Sequence, residues 1–255
     1  MRSVTALFLC TYAAWAQPWA ITHVTVIDVE AGRAVPDMTV VVDGERIVSV
    51  GPAKKARVPL GAQIVDGRGK YLIPGLWDMH VHMMSSQPPD PNDPAPAEFY
   101  APQFLANGIT GVRSMFDNLG AMRKLTAPRV VASGPILDGP NAYWAGSIPC
   151  ANTDQARAAV RRLKAEGVGF LKVYSGLGKE AYFAIAEEAR RVGLSFAGHM
   201  PNSITAAEAS DAGQESLEHL TGLDNDKPEL WAKFVKNGTW VTPTLTVLRS
   251  TAYYT

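Results

Sequence analysis

The chain has 255 residues, 47% of them hydrophobic and 19% charged, with Lys+Arg and Asp+Glu both at 24. That apolar content suits a large core, and the length suits one barrel domain or two smaller ones. With no net charge and no basic run interleaved with aromatics, no nucleic-acid partner is expected, nor attraction to an anionic membrane.

Residues 1–16 read as a secretory signal peptide. Arg2 gives a positive start, Val4 to Trp15 is apolar, and Ala14-Trp15-Ala16 offers a cleavage site before Gln17. The mature protein is then expected to be secreted or periplasmic. The apolar stretch is shorter than the roughly 20 residues that span a bilayer, so no stable membrane span is expected after cleavage. Lipidation at Cys10 is the minor alternative, disfavoured by the bulky Phe8 and Leu9 before it. Cleavage would leave Cys150 as the single cysteine, read as a packed thiol.

Strand-like runs follow from Ile21 to Val29, Met38 to Val50 and Ala62 to Ile73, with a hairpin signal at Asp43-Gly44 in the second and Asp66-Gly67 within the third. Pro74-Gly75 reads as a joint. Beyond it, helical stretches close on Gly108, Gly167, Gly193, Gly213 and Gly238, each suited to the left-handed position after a helix, and a β-rich segment follows each. Thr153, Ser203 and Asp226 are expected N-caps. Alternating strands and helices predict an α/β fold with a parallel sheet, a TIM-type (β/α)8 barrel being the leading form. Seven strands are countable: Leu72 to His82, Ile109 to Phe116, Arg129 to Leu137, Phe170 to Tyr174, Leu194 to His199, Ser216 to Leu220 and Trp240 to Leu245. The barrel is expected to be incomplete. The proline-rich segments Met83 to Ala97 and Gly134 to Pro149 are expected to wall a substrate pocket at the strand ends.

His80 and His82, two apart at the end of a strand, point to one face and can share a metal ion. His199 and His219 end later strands at the same rim. A lone histidine is more often a satisfied core residue, but four at one rim have no structural purpose as separate buried imidazoles. His23, in the N-terminal β region, is assigned no role. Lys172 ends the fourth strand, with Tyr174 on the same face. An ammonium repels a cation, whereas the carbamate formed with carbon dioxide acts as a long carboxylate that can bridge two ions. Without the histidines, Lys172 reads as a rim lysine with its charge in solvent.

The run Pro74-Gly75-Leu76-Trp77-Asp78-Met79-His80-Val81-His82 resembles the first-strand signature of the amidohydrolase superfamily, and within it the chain looks most similar to the imidazolonepropionase-like, prolidase-like binuclear branch. The resemblance implies residues 17–73 as the N-terminal part of a β-sandwich and residues 74–255 as the barrel, without strand eight. It implies two divalent metal ions, zinc by default, the first on His80, His82 and carboxylated Lys172 and the second on Lys172, His199 and His219. A bridging hydroxide would attack the substrate carbonyl, and Tyr174 would donate to the developing oxyanion or to a substrate carboxylate. The family's eighth-strand aspartate has no counterpart, so these residues alone are expected to be poorly stable and nearly inactive. The implied reaction is hydrolysis of an amide or peptide-like C–N bond in a small molecule, such as a dipeptide or N-acyl amino acid. A lactone, cyclic amide or phosphotriester, or a non-catalytic metal-binding product, are the alternatives; a sugar-binding or transport module ranks last. Oligomeric state stays open.

Overall fold

The computed structural model describes residues 17–83, 97–223 and 228–254, and the chain divides into two compact units, Met1–Pro74 and Gly75–Thr255. The expected signal peptide, most of the first proline-rich segment and the expected cap Asp226 lie outside the described residues. Among those described, no helix is long and apolar enough to cross a membrane.

In the first unit β1 (Trp19–Asp28), β2 (Arg33–Asp43), β3 (Arg46–Pro52), β4 (Gln63–Asp66) and β5 (Tyr71–Leu72) make one five-stranded sheet of order β3-β2-β1-β4, with β5 also on β1. The β1–β2 and β2–β3 pairs are antiparallel, and β4 and β5 run parallel to β1. The Asp43-Gly44 signal is the β2–β3 turn, where Gly44 takes a φ of 56° that a side chain would resist.

The second unit alternates strand and helix except at β8-β9-β10, where the expected third strand, Arg129 to Leu137, is split in two: β6 (Leu76–Val81), α1 (Ala97–Ala106), β7 (Ile109–Ser114), α2 (Leu119–Met122), β8 (Arg129–Ala132), β9 (Leu137–Asp138), β10 (Ile148–Pro149), α3 (Thr153–Glu166), β11 (Leu171–Val173), α4 (Lys179–Val192), β12 (Phe196–Gly198), α5 (Ala206–Asp211), β13 (Ser216–Glu218), α6 (Pro228–Asn237), β14 (Trp240–Thr242) and α7 (Leu245–Tyr254). Its strands form two parallel sheets, β6-β7-β8 and β10-β9-β11-β12-β13-β14. The Gly169 amide donates to Ala132 O at 2.8 Å, carrying the pairing from β8 toward β11. Arg113 on β7 reaches Ser216 and Glu218 of β13 and Thr242 of β14, so the sheets face one another across a shared interior.

Helix α3 packs on the sheet because its apolar positions fall on one stripe. Ala156, Ala159, Val160 and Leu163 of α3 follow the three-and-four spacing of a single helical face, all buried. They join Leu171, Phe196 and Leu217 from the sheet in the main core, each large side chain contributing about 1.5–3 kcal/mol by burial. The five closing glycines all have positive φ, from 67° to 87°. Two caps differ from expectation. Asn152, not Thr153, caps α3 by accepting from the Gln155 amide, and Thr205, not Ser203, caps α5 in a reciprocal pair with Glu208. The Ser203 hydroxyl instead donates to Leu177 O at 2.9 Å, tying two loops together. Cys150 is buried, its thiol pushed up to about 11 by burial and the charge of Asp138.

Candidate metal centre

Four imidazoles and one lysine meet at the C-terminal ends of the strands. His80 lies on β6 and His82 just beyond it, with their Nε2 atoms 3.3 Å apart. Ring centroids step from His82 to His80 at 5.2 Å, from His80 to His219 at 4.8 Å and from His219 to His199 at 4.7 Å. Lys172 on β11 is fully buried, and its charge acts on all four rings.

Three of the rings are anchored through Nδ1, which turns their Nε2 atoms away from the anchor. His80 Nδ1 meets Glu218 Oε2 at 2.6 Å, His199 Nδ1 meets Ser175 Oγ at 3.0 Å, and His219 Nδ1 meets Thr244 Oγ1 at 2.5 Å. The last pair stores strain: His219 and Thr244 have φ of 66° and 49°, a region that a β-branched residue seldom enters. The turn at His219 has a structural consequence. Strand alternation sends neighbours to opposite faces, yet Glu218 and His219 both contact His80, because the left-handed residue breaks the alternation where β13 ends.

Burial depresses every histidine of the group. His199 is held down to about 2 by burial and then by Lys172 and His219; His219 is held to about 4 by burial and then by His80 and Lys172. His82 is the most exposed of the four, and burial followed by His80, Lys172 and His219 still holds it to about 3. His80 is lowered as well, burial outweighing the hydrogen bond its Nδ1 donates to Glu218. All four are therefore neutral at pH 7, the form in which imidazole binds a metal. Burial brings the Lys172 amine down to about 7, opposed by the charge of Glu218 and aided by Arg113. Its Nζ has no hydrogen-bond partner among the described residues. About half of such an amine is neutral at pH 7, against roughly one part in 3,000 for an ordinary lysine, and the neutral amine is the form that adds carbon dioxide.

The His80 and His82 nitrogens are spaced to share one metal ion. Two nitrogens on one tetrahedral zinc at about 2.0–2.1 Å stand about 3.3 Å apart, the spacing of His80 Nε2 and His82 Nε2. Among the described residues no three His, Cys, Asp or Glu side chains group as a metal site. Each half of the expected pair draws only two ligands from those types, Lys172 being the third.

Tyr174 follows β11 and stacks on the His199 ring, centroids 4.1 Å apart. Burial raises its phenol, which keeps its proton at neutral pH. A cavity of about 360 Å³ beside it is lined by Asp138, Asn141, Tyr143, Tyr174, Ser175 and Gly176, so part of the second proline-rich segment borders the site. Asp138 braces these loops, accepting from the amides of Gly139, Tyr143 and Gly176. The sequence reading missed Glu218, Arg113, Ser175 and Thr244. Glu218 alone left a trace, as the acid next to a candidate ligand in Leu217-Glu218-His219.

The class is that of parallel α/β proteins that build a histidine and lysine site at their strand ends. Residues 71–253 match the model of the Amidohydrolase family, and the chain belongs to that family. It is similar to Adenine deaminase 3 of Rhizobium meliloti (strain 1021), 29% identical over 210 residues that cover 76% of this chain and 34% of the relative. It is also similar to the dihydroorotase of Anaeromyxobacter sp. (strain K), 29% identical over 153 residues, 56% of this chain and 34% of that protein. A solved prolidase complexed with N-methylphosphonate-L-proline superposes with a TM-score of 0.74 at 25% identity, covering 90% of this chain and 66% of that one. The chain thus spans about a third of the length of these curated relatives.

Proposed function

We propose that this chain carries the metal-binding residues of a hydrolase that cleaves amide-type C–N bonds in small molecules, of the dipeptide or N-acyl amino acid class. The observation that carries the reading is Lys172, buried, without a hydrogen-bond partner among the described residues, and set beside four imidazoles. His80, His82 and Lys172 would hold one divalent ion, and Lys172, His199 and His219 the other. Zinc is favoured by the mixed imidazole and carboxylate donors, which manganese, cobalt, iron or nickel also accept. When bound, the ions acidify water and polarise the scissile carbonyl.

This chain's own side chains prepare that chemistry. The neutral Lys172 amine bonds to carbon dioxide and releases a proton, giving the carbamate. Tyr174, protonated at neutral pH, donates a hydrogen bond to the substrate's oxyanion or carboxylate, and the neighbouring cavity receives the rest of the substrate. The likeness to the prolidase favours a peptide-like substrate. Likeness to adenine deaminases favours a second reading, hydrolytic removal of an amino group from a heteroaromatic ring. The two parallel sheets are read as part of a (β/α)8 barrel and residues 17–73 as part of a β-sandwich. Export is read from residues 1–16; N-terminal sequencing of exported protein beginning at Gln17 would support it.

Elemental analysis of protein produced with zinc and bicarbonate tests the site. About two ions per chain, falling to one or none in Lys172→Ala, is the expected result. A folded wild-type protein without metal would overturn it. Turnover of dipeptides against aminopurines then separates the two substrate readings.

A further inference from the structure

The three anchored histidines are held by chemically different groups. Ser175 and Thr244 are hydroxyls, which can donate or accept, so either tautomer of His199 or His219 satisfies them. Glu218 differs, because an ionised carboxylate only accepts. It is buried and fully engaged: Oε1 accepts from Arg113 at 2.5 Å and from the Ser216 hydroxyl at 2.6 Å, while Oε2 lies 2.6 Å from His80 Nδ1. Arg113 cannot swing away to release it. Its Nε donates to Met79 O at 2.7 Å, its guanidinium also bonds Ser216 and Thr242, and Phe170 lies beneath it.

We infer that Glu218, clamped by Arg113, is a positioning residue that fixes His80 as the Nδ1–H tautomer and so presents its Nε2 lone pair beside that of His82. The role in metal binding rests on the proposed function; the tautomer itself does not. A carboxylate behind a ligating histidine orients the ring and raises its basicity, and removing such a partner typically lowers metal affinity about 10- to 100-fold. The ion on His80 and His82 should therefore depend on Glu218, and the ion on His199 and His219 should not.

Two measurements test this. In metal-free wild-type protein at pH 8, nitrogen NMR of the His80 ring should show a protonated Nδ1 and a bare Nε2. An Nε2–H tautomer or a doubly protonated ring there overturns the inference, whether or not the protein binds metal. In Glu218→Gln, chelator competition with zinc should show one of the two ions about 10- to 100-fold weaker and the other within about threefold. Equal weakening of both ions, or of neither, would equally refute it. Arg113→Met/Glu218→Gln, which removes both charges together, serves if the single variant does not fold. Absence of metal from the wild type would sink the proposed function while leaving the tautomer result to stand or fall separately.

Discussion

Without metal or bicarbonate, Lys172→Met should make the protein more stable. Burial holds the Lys172 amine at about 7, against 10.5 for an unburied lysine. The folded protein binds this proton more weakly than the unfolded chain does. Stability is therefore lost as pH falls from about 10.5 toward 7, and the loss is complete somewhat below 7. Linkage places it at about 4 kcal/mol at pH 7 and about 1 kcal/mol at pH 10. Methionine fills nearly the same volume with no charge to desolvate. The variant should gain several kcal/mol at pH 7 and most of that gain should vanish by pH 10. Urea unfolding at pH 7, 8.5 and 10, with the slope checked for constancy, measures it. A variant no more stable than wild type at pH 7, or a gain independent of pH, would mean that the amine is paired with an anion in the fold. The expected result identifies Lys172 as a residue kept at a cost in stability, as functional groups are.

Gly198→Ala should lose at least about 2 kcal/mol and misplace His199, because the new Cβ would lie 2.2 Å from Val173 O at a φ of 141°. Thermal unfolding and metal content report both effects, and an unchanged melting temperature would contradict the packing described. Asp117→Asn should stabilise the protein at pH 8 and not at pH 4. Burial pushes Asp117 up to about 7 against the opposing hydrogen bonds of the Ser114 side chain and the Gly134 and Ser133 backbone, and stability is lost as pH rises from 3.8 through 7, by at most about 4 kcal/mol. Denaturant midpoints at the two pH values decide it. Tyr182→Phe should cost about 1–3 kcal/mol by taking from buried Gln214 Oε1 the donor now 2.7 Å away, a loss readable by urea unfolding.

Much of the architecture was legible because it depends on local stereochemistry. The five closing glycines marked helix ends since glycine alone enters the left-handed region without penalty, and all five do so here. The caps were less legible. Asn152 and Thr205 compete with Thr153 and Ser203 one or two residues away, and the contact with Leu177 O that occupies Ser203 exists only after folding.

His80 and His82 could be paired from the period of a strand, and Lys172, His199 and His219 from their places at strand ends. The sequence by itself thus determined the alternation of strand and helix and the residue types gathered at one rim. It could not determine which nitrogen each imidazole turns inward, since that depends on Glu218, Ser175 and Thr244 meeting the rings from across the fold. Nor could it bring Glu218 and His219 to the same residue, because period two separates neighbours and only the left-handed turn at His219 reunites them. The ionisation of Lys172 was likewise decided by tertiary structure: in water the amine is an ordinary cation, and enclosure by the packed interior makes it neutral enough to react.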